Sequence, residues 1–324
     1  MNKLIQLLNS QDTIIADGGM GTMLMAAGLT QGDALELWNV THPEKIKAIH
    51  TGYVEAGAQI ILTNSFGGNP FRLKMHNLQD RVYELNKQAA ILAREVADAA
   101  DQLVVVAGSM GPSGEIMAPV GSLFYPDAVA GFAAQAQGLV DGGVDVLWIE
   151  TMSDLLEVRA AAAGVRQVTE LPVVATMTFD TNGRTMMGVS PEEAISELTD
   201  LGVLALGGNC GNGPHEITAV IQTMFAHNQT VPLIAKSNAG IPQYINGELH
   251  YDGTPKVMAE YAVKVRNSGA RIIGACCGST PAHIAAIANA LANSPVERKV
   301  QAVSPSEETP ARPRRTRRRT SRKE

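Results

Sequence analysis

Eight short runs of Val, Ile, Leu and Ala punctuate the chain at near-regular intervals, and they constrain its fold more than any other feature. They cover residues 13–16, 60–63, 103–107, 146–149, 173–177, 203–206, 233–235 and 272–275. None alternates cleanly between apolar and polar, which is how a strand buried on both faces reads. Helical segments fill the gaps. Residues 43–56 carry Ile46, Ile49 and Tyr53 at helical spacing, and residues 127–140 and 154–168 follow the same logic. Ser190-Pro191-Glu192-Glu193 reads as an N-cap, a first-turn proline and a capping-box Glu, and Thr254-Pro255 and Thr280-Pro281 repeat the cap-plus-proline device. Gly57, Gly143, Gly202 and Gly269 each close a helix and feed the next strand. Eight alternating β and α units predict an α/β fold of the (β/α)8 TIM-barrel type, with an open doubly wound sheet as the alternative.

Composition bounds the rest. The 324 residues are 45% hydrophobic, enough for one large core. No apolar run reaches the length of a membrane span, and the first residues lack a basic-then-apolar leader, so a cytoplasmic protein is expected. The net charge of −6 is uneven: residues 301–324 hold eight Lys or Arg against three Glu. The expected organisation is therefore one barrel over residues 1–296 and a disordered, Arg-rich tail over 297–324. The tail has no interleaved aromatics for base stacking, which argues against nucleic-acid recognition.

In a (β/α)8 barrel the chemistry sits on the loops after the strands. Those loops begin with Asp17-Gly18-Gly19, Asn64-Ser65-Phe66, Ser109-Met110-Gly111, Glu150-Thr151, Asn209-Cys210-Gly211, Ser237-Asn238-Ala239 and Cys276-Cys277-Gly278. All three cysteines of the protein lie there, after strands six and eight. Three is no even disulfide set and points to a reducing compartment. Three thiolates suit a borderline-soft ion, above all zinc, and leave a fourth position open as in a catalytic site. Adjacent cysteines on an extended strand face opposite ways, so Cys276 and Cys277 share an ion only if the strand is already turning, which Gly278 permits. The alternative is three buried, inert thiols.

These residues carry a resemblance. Asp17-Gly18-Gly19, Glu150-Thr151, Gly208-Asn209-Cys210, Asn238-Ala239-Gly240 and Gly274-Ala275-Cys276-Cys277-Gly278 resemble the homocysteine S-methyltransferase family, from about Thr13 to Ala292. That family includes the homocysteine-binding module of cobalamin-dependent methionine synthase and the betaine–homocysteine methyltransferases. The resemblance implies a zinc-dependent methyltransferase. Cys210, Cys276 and Cys277 would hold the metal, and the homocysteine thiol would take the open position. That thiol, deprotonated there, would attack a methyl donor to give methionine. Asp17 and Glu150 would bind the substrate ammonium, the amides near Gly18 and Gly19 its carboxylate, and Asn238 would approach the zinc when substrate is absent. Ser237 stands where many relatives have proline.

The donor divides two expectations. One is methylcobalamin on a separate corrinoid protein, docked over the barrel mouth at segments 18–42 and 108–126, since no cobalamin-binding module is recognised in the chain. The other is glycine betaine bound directly, as in bacterial proteins similar in Leu37-Trp38-Asn39-Val40 and Met186-Met187-Gly188. A quaternary ammonium needs an aromatic cage. The animal betaine enzymes place a tyrosine after the matching glutamate, where this chain has Thr151; a different cage would draw on Trp38, Phe66, Phe71 or Tyr125. The corrinoid partner is the preferred expectation. A binding module with structural zinc is the non-enzyme alternative, and it requires a fourth protein ligand.

Overall fold

The computed structural model of the chain describes residues 2–298 apart from Gln31, Pro242, Asn246 and Gly247. Beyond Glu297 and Arg298, the expected basic tail lies outside the described residues. Eight parallel strands form one sheet: β1 (Ile14–Ile15), β2 (Ile60–Leu62), β3 (Val105–Met110), β4 (Val146–Met152), β5 (Val173–Met177), β6 (Ala205–Cys210), β7 (Leu233–Ser237) and β8 (Ala270–Ala275). Each strand pairs with its neighbour in sequence from β2 to β8, and β8 pairs with β1. A parallel bridge between Ala16 and Ile60 joins the two sheet edges, with Gln59 N–H donating to Ile15 O (2.7 Å) and Asp17 N–H to Ile60 O (2.9 Å). The chain is thus the expected (β/α)8 barrel, closed at the seam between β1 and β2.

The helices start where the cap signals put them. Ser190 accepts from Glu193 N–H while the Glu193 carboxylate accepts from Ser190 N–H, a complete capping box. Thr254 caps the helix Pro255–Asn267 and Asp154 caps Leu155–Val168. The four helix-exit glycines all have positive φ, between 73° and 116°. One element falls outside the expected pattern: an antiparallel hairpin, Gln243–Ile245 with Glu248–His250, in the loop after β7. The Asn246-Gly247 pair in the sequence is its signal.

Two apolar layers position the site. Outside the barrel, helix faces pack on the outward strand residues. Inside it, Ile14, Ile60, Leu62, Val105, Ala107, Val146, Trp148, Val174, Ile234 and Ile272 fill the lumen. The N-terminal helix Lys3–Ser10 plugs the lower end with Leu4, Leu7 and Leu8, capped by Asn2. Side chains repeat every second residue along a strand. The inward column therefore continues from Ala107, Trp148, Ile234 and Gly274 to Ser109, Glu150, Lys236 and Cys276. The lumen is apolar below and polar at its top.

Candidate active site

A cavity of about 250 Å³ opens above that polar layer, lined by Asp17, Gly18, Gly19, Glu150, Lys236 and the three cysteines, among others. Every metal and substrate residue expected from sequence lines it except Asn238, which stands behind the thiols. The volume is below the roughly 300 to 1,000 Å³ of sites for drug-sized ligands, and suits a small amino acid.

The thiols converge because two strand ends bend. Cys210 ends β6 with φ +58°, in the left-handed region. β8 stops at Ala275, and the chain turns through Cys276 and Cys277 to Gly278 at φ +81°. The turn is held at several points. Cys276 N–H donates to Ser237 O (2.7 Å), and Ala239 N–H donates to Cys277 O (2.9 Å). Asn238 spans the two thiol-bearing segments, donating from Nδ2 to Gly211 O (2.8 Å) and accepting at Oδ1 from Cys277 N–H (3.0 Å). As a result all three Sγ atoms lie within 4.8 Å of one another, with Cys210 and Cys276 Sγ 3.0 Å apart.

The thiols are gathered closely enough to share an ion once Cys210 and Cys276 move apart by about 0.7 Å. Three sulfurs at about 2.3 Å from a tetrahedral zinc are about 3.7 Å from one another. Unaided, three thiols this close cannot all ionise. Hydrogen bonds from Cys210 and Cys276 hold the Cys277 thiol down at about 4 despite its burial. Cys276 is pushed up to about 12: its contact with Cys210 lowers it, but the Cys277 hydrogen bond and burial outweigh that. The Cys210 thiol is raised too, by hydrogen bonds to the same two partners and by burial. A bound divalent cation removes this conflict by stabilising all three thiolates at once. Among the described residues no fourth His, Cys, Asp or Glu joins the group, so the ligand set of a structural zinc is not complete.

The two expected carboxylates have different surroundings. Glu150 is buried; its Oε1 accepts a short hydrogen bond from Ser109 Oγ. Burial raises its pKa to about 7, with Lys236 pulling the other way. Ser109 is itself fixed through Thr63 Oγ1 and Ser65 Oγ on the β2 loop. Asp17 is instead spoken for on both oxygens: Oδ1 pairs with Lys236 Nζ at 2.6 Å and Oδ2 accepts from Leu62 N–H at 2.7 Å. Burial would lower the Lys236 pKa, but the Asp17 and Glu150 charges raise it, so the ammonium stays protonated. Lys236 was not singled out from the sequence. Its signal is a lone cation two residues after an inward Ile in an otherwise apolar strand.

Gly18 and Gly19 bring strand one against the cysteine turn. A Cβ on Gly18 would sit 2.5 Å from Ser279 Oγ, and one on Gly19 would sit 2.7 Å from Cys276 O. Only glycine permits that approach. Ser279 Oγ accepts from Gly19 N–H (2.9 Å) and donates to Cys276 O (2.7 Å). Tyr53 Oη reaches the same junction, donating to Gly19 O (3.0 Å). The Gly19 amide is therefore engaged, while Gly18 N–H meets no acceptor among the described residues. Ser279, Tyr53 and Ser109 were also unforeseen as site residues; each reads in the sequence as an ordinary loop or helix residue.

The rim of a (β/α)8 barrel thus gathers three cysteines that could hold a metal ion beside a small pocket walled by two carboxylates and a lysine. The model of the homocysteine S-methyltransferase family matches residues 14–291, and the chain belongs to that family. Methionine synthase of Mycobacterium tuberculosis is 35% identical over 299 residues, covering 88% of this chain and 25% of that protein. Its Mycobacterium leprae counterpart is 33% identical over 298 residues, covering 87% and 24%. The chain thus spans about a quarter of the length of these methionine synthases. Among solved structures, the metallated form of the homocysteine methyltransferase MmuM from Escherichia coli matches with a TM-score of 0.75 at 27% identity, over 88% of this chain and 99% of that one. Its apo form matches at 0.70 and 25%, over 89% and 100%.

Proposed function

We propose that the protein is a zinc-dependent homocysteine S-methyltransferase that forms methionine, with Cys210, Cys276 and Cys277 as the metal ligands. The observation that carries this reading is the convergence of the three thiols on one cavity with a buried carboxylate, Glu150, whose hydrogen-bond partner is the Ser109 hydroxyl. Zinc held there supplies a Lewis acid that keeps an incoming thiol deprotonated and nucleophilic at neutral pH. The chain's own residues do the rest. Asn238 and Ser279 fix the two thiol-bearing turns, so the sulfurs are already gathered before substrate arrives. In this reading Asn238 would become a ligand, in the absence of substrate, only by giving up its bond to Cys277 N–H. Glu150 orients the substrate through its ammonium, and Gly18 N–H faces its carboxylate. The apolar lumen below closes the pocket floor to water. Three unpaired cysteines fit a reducing, cytoplasmic setting. No helix among the described residues is long and apolar enough to cross a membrane.

For the donor, the corrinoid reading is better supported. Of the four aromatics considered for a betaine cage, only Phe66 lines the cavity. Trp38 is buried and stacked on His42, Phe71 packs against Gly131, and Tyr125 reaches Arg159 O on the outer helices. The rim instead exposes Ile116, Val120 and Phe124 after β3, Met186 and Met187 after β5, and Ile241 after β7. Apolar side chains exposed around a pocket mouth suit a protein that docks over it. We therefore assign the donor as methylcobalamin carried by a separate corrinoid protein. The experiment is methionine formation from homocysteine by the zinc-loaded protein, with free methylcobalamin or glycine betaine as sole donor. Turnover with methylcobalamin alone supports the assignment. Turnover with betaine alone replaces the donor, and turnover with neither removes both.

A further inference from the structure

A larger cavity lies at the opposite end of the barrel from the cysteines. It is a groove of about 710 Å³ where the helices Pro43–Glu55 and Val82–Ala99 end and lead into β2 and β3. We infer that this groove receives the Arg-rich segment 312–323 of the same chain. The reading is independent of the chemistry at the cysteine end.

The groove and the segment are chemically complementary. Apolar Val54, Val96 and Ala100 line the groove together with the carboxylates of Glu55, Glu95 and Asp101. Its one cation, Lys47, is already shared between Glu44 (2.8 Å) and Glu95 (3.7 Å). Glu55 and Asp101 are exposed and have no ion-pair partner among the described residues. Both helices present their C-terminal ends here, and the negative end of the helix dipole adds to the attraction for cations. Residues 312–323 hold eight Lys or Arg and no acid. Arginine suits such a lining, because its stem packs on apolar surface while its guanidinium pairs with a carboxylate.

The segment also starts close by. Arg298, the last described residue, donates from Nη2 to Asp12 O (3.1 Å), just before β1. The neighbouring Gln11 side chain accepts from Gln59 Nε2 (2.9 Å), and Gln59 follows Ala58. Gln102, on the groove wall, donates to Val54 O and Ala58 O, each at 3.3 Å. A few side-chain contacts therefore lead from Arg298 to the groove. Residues 299–311 supply thirteen residues of connection, which as coil span about 20 Å. A tether of that length holds the segment at an effective concentration on the order of millimolar, so weak individual ion pairs suffice. Two other grooves at the same end fit less well. One, of about 300 Å³, has Lys264 and Glu297, and the other, of about 490 Å³, has Arg166 and Glu170, so neither has an excess of carboxylates.

Cleavage by an Arg-specific protease tests this, because a segment lying in a groove is cut more slowly than a free one. The full chain is digested at low salt, loss of the segment is followed by mass spectrometry, and a synthetic peptide of residues 303–324, digested separately, sets the rate of the undocked sequence. The wild-type segment should be cut at least about threefold more slowly than the peptide. Glu55→Gln/Asp101→Asn should speed its cleavage by about three- to tenfold, the scale of two exposed ion pairs. Salt at about 0.5 M, where the screening length falls to about 4 Å, should bring the wild-type rate to that of the peptide without any substitution. Glu170→Gln, in a different groove, should change nothing, and neither should roughly 100-fold dilution of the protein, since docking within one chain does not depend on concentration. A wild-type segment cut as fast as the peptide at low salt would overturn the inference, as would a double variant cut at the wild-type rate. Equal acceleration by Glu170→Gln would remove the groove in favour of the general acidity of the body. Protection lost on dilution would give the groove to the segment of a second copy, against docking within one chain.

Discussion

Cys210 Sγ and Cys276 Sγ lie 3.0 Å apart across 66 residues of sequence, brought together by a left-handed Cys210 at the end of β6 and a turn just past β8. Replacing any of the three cysteines by serine exchanges a soft thiolate for a hydroxyl that stays protonated. Loss of an outer-shell partner alone costs roughly 10- to 100-fold in metal affinity, so each variant should lose more than that, together with methyl transfer. Zinc content after dialysis, by elemental analysis, checks this; full zinc retention in all three variants would remove the site.

Asn238 shows how the backbone prepares that centre. Its amide bridges Gly211 O and Cys277 N–H, and alanine would break both bonds while leaving every thiol in place. Asn238→Ala should fold, keep the three cysteines and weaken zinc by about 10- to 100-fold. Chelator competition against wild type is the measurement. An unchanged affinity would mean that the turns hold themselves.

Glu150 touches no thiol in the hydrogen-bond network, so its loss should separate substrate from metal. Glu150→Ala should raise the homocysteine concentration at half-maximal rate at least about tenfold, the scale of a charged hydrogen bond, with zinc stoichiometry unchanged. Steady-state kinetics beside metal analysis reads both. A variant with wild-type homocysteine dependence would take Glu150 out of the pocket.

His50 makes the fold acid-sensitive away from the site. It is fully buried on the helix Pro43–Glu55, neither ring nitrogen has a hydrogen-bond partner, and burial lowers its pKa to about 4. An unfolded histidine titrates near 6.5 and so binds a proton first as pH falls. Stability is then complete above the unfolded value and declines toward the folded one. Between pH 7 and pH 5 this single group should cost about 2 kcal/mol. Urea denaturation at the two pH values, for wild type and His50→Leu, checks it; equal acid losses in both proteins would clear His50.

The barrel was legible because a parallel strand buried on both faces needs a short apolar run, and each of the eight runs contributes to a strand. The strand ends were less so. β3, β6 and β7 run on through Gly108-Ser109-Met110, Gly207-Gly208-Asn209-Cys210 and Lys236-Ser237, where hydrophobicity stops but backbone pairing does not. Those polar extensions are the site. The cysteines and Glu150 could be read from it because their chemistry is distinctive in any loop. Lys236 could not, because its meaning depends on a partner 219 residues away. Asn238, Ser279 and Tyr53 were illegible as a brace for the same reason, since their hydrogen bonds join separate strand ends to backbone atoms that no side-chain pattern reveals.

X-ray absorption at the zinc edge tests the central claim most directly. Three sulfur ligands are expected in the free protein and four once homocysteine is bound, the three coming from Cys210, Cys276 and Cys277. A sulfur count that stays at three under saturating homocysteine, or that falls below three without it, would contradict it.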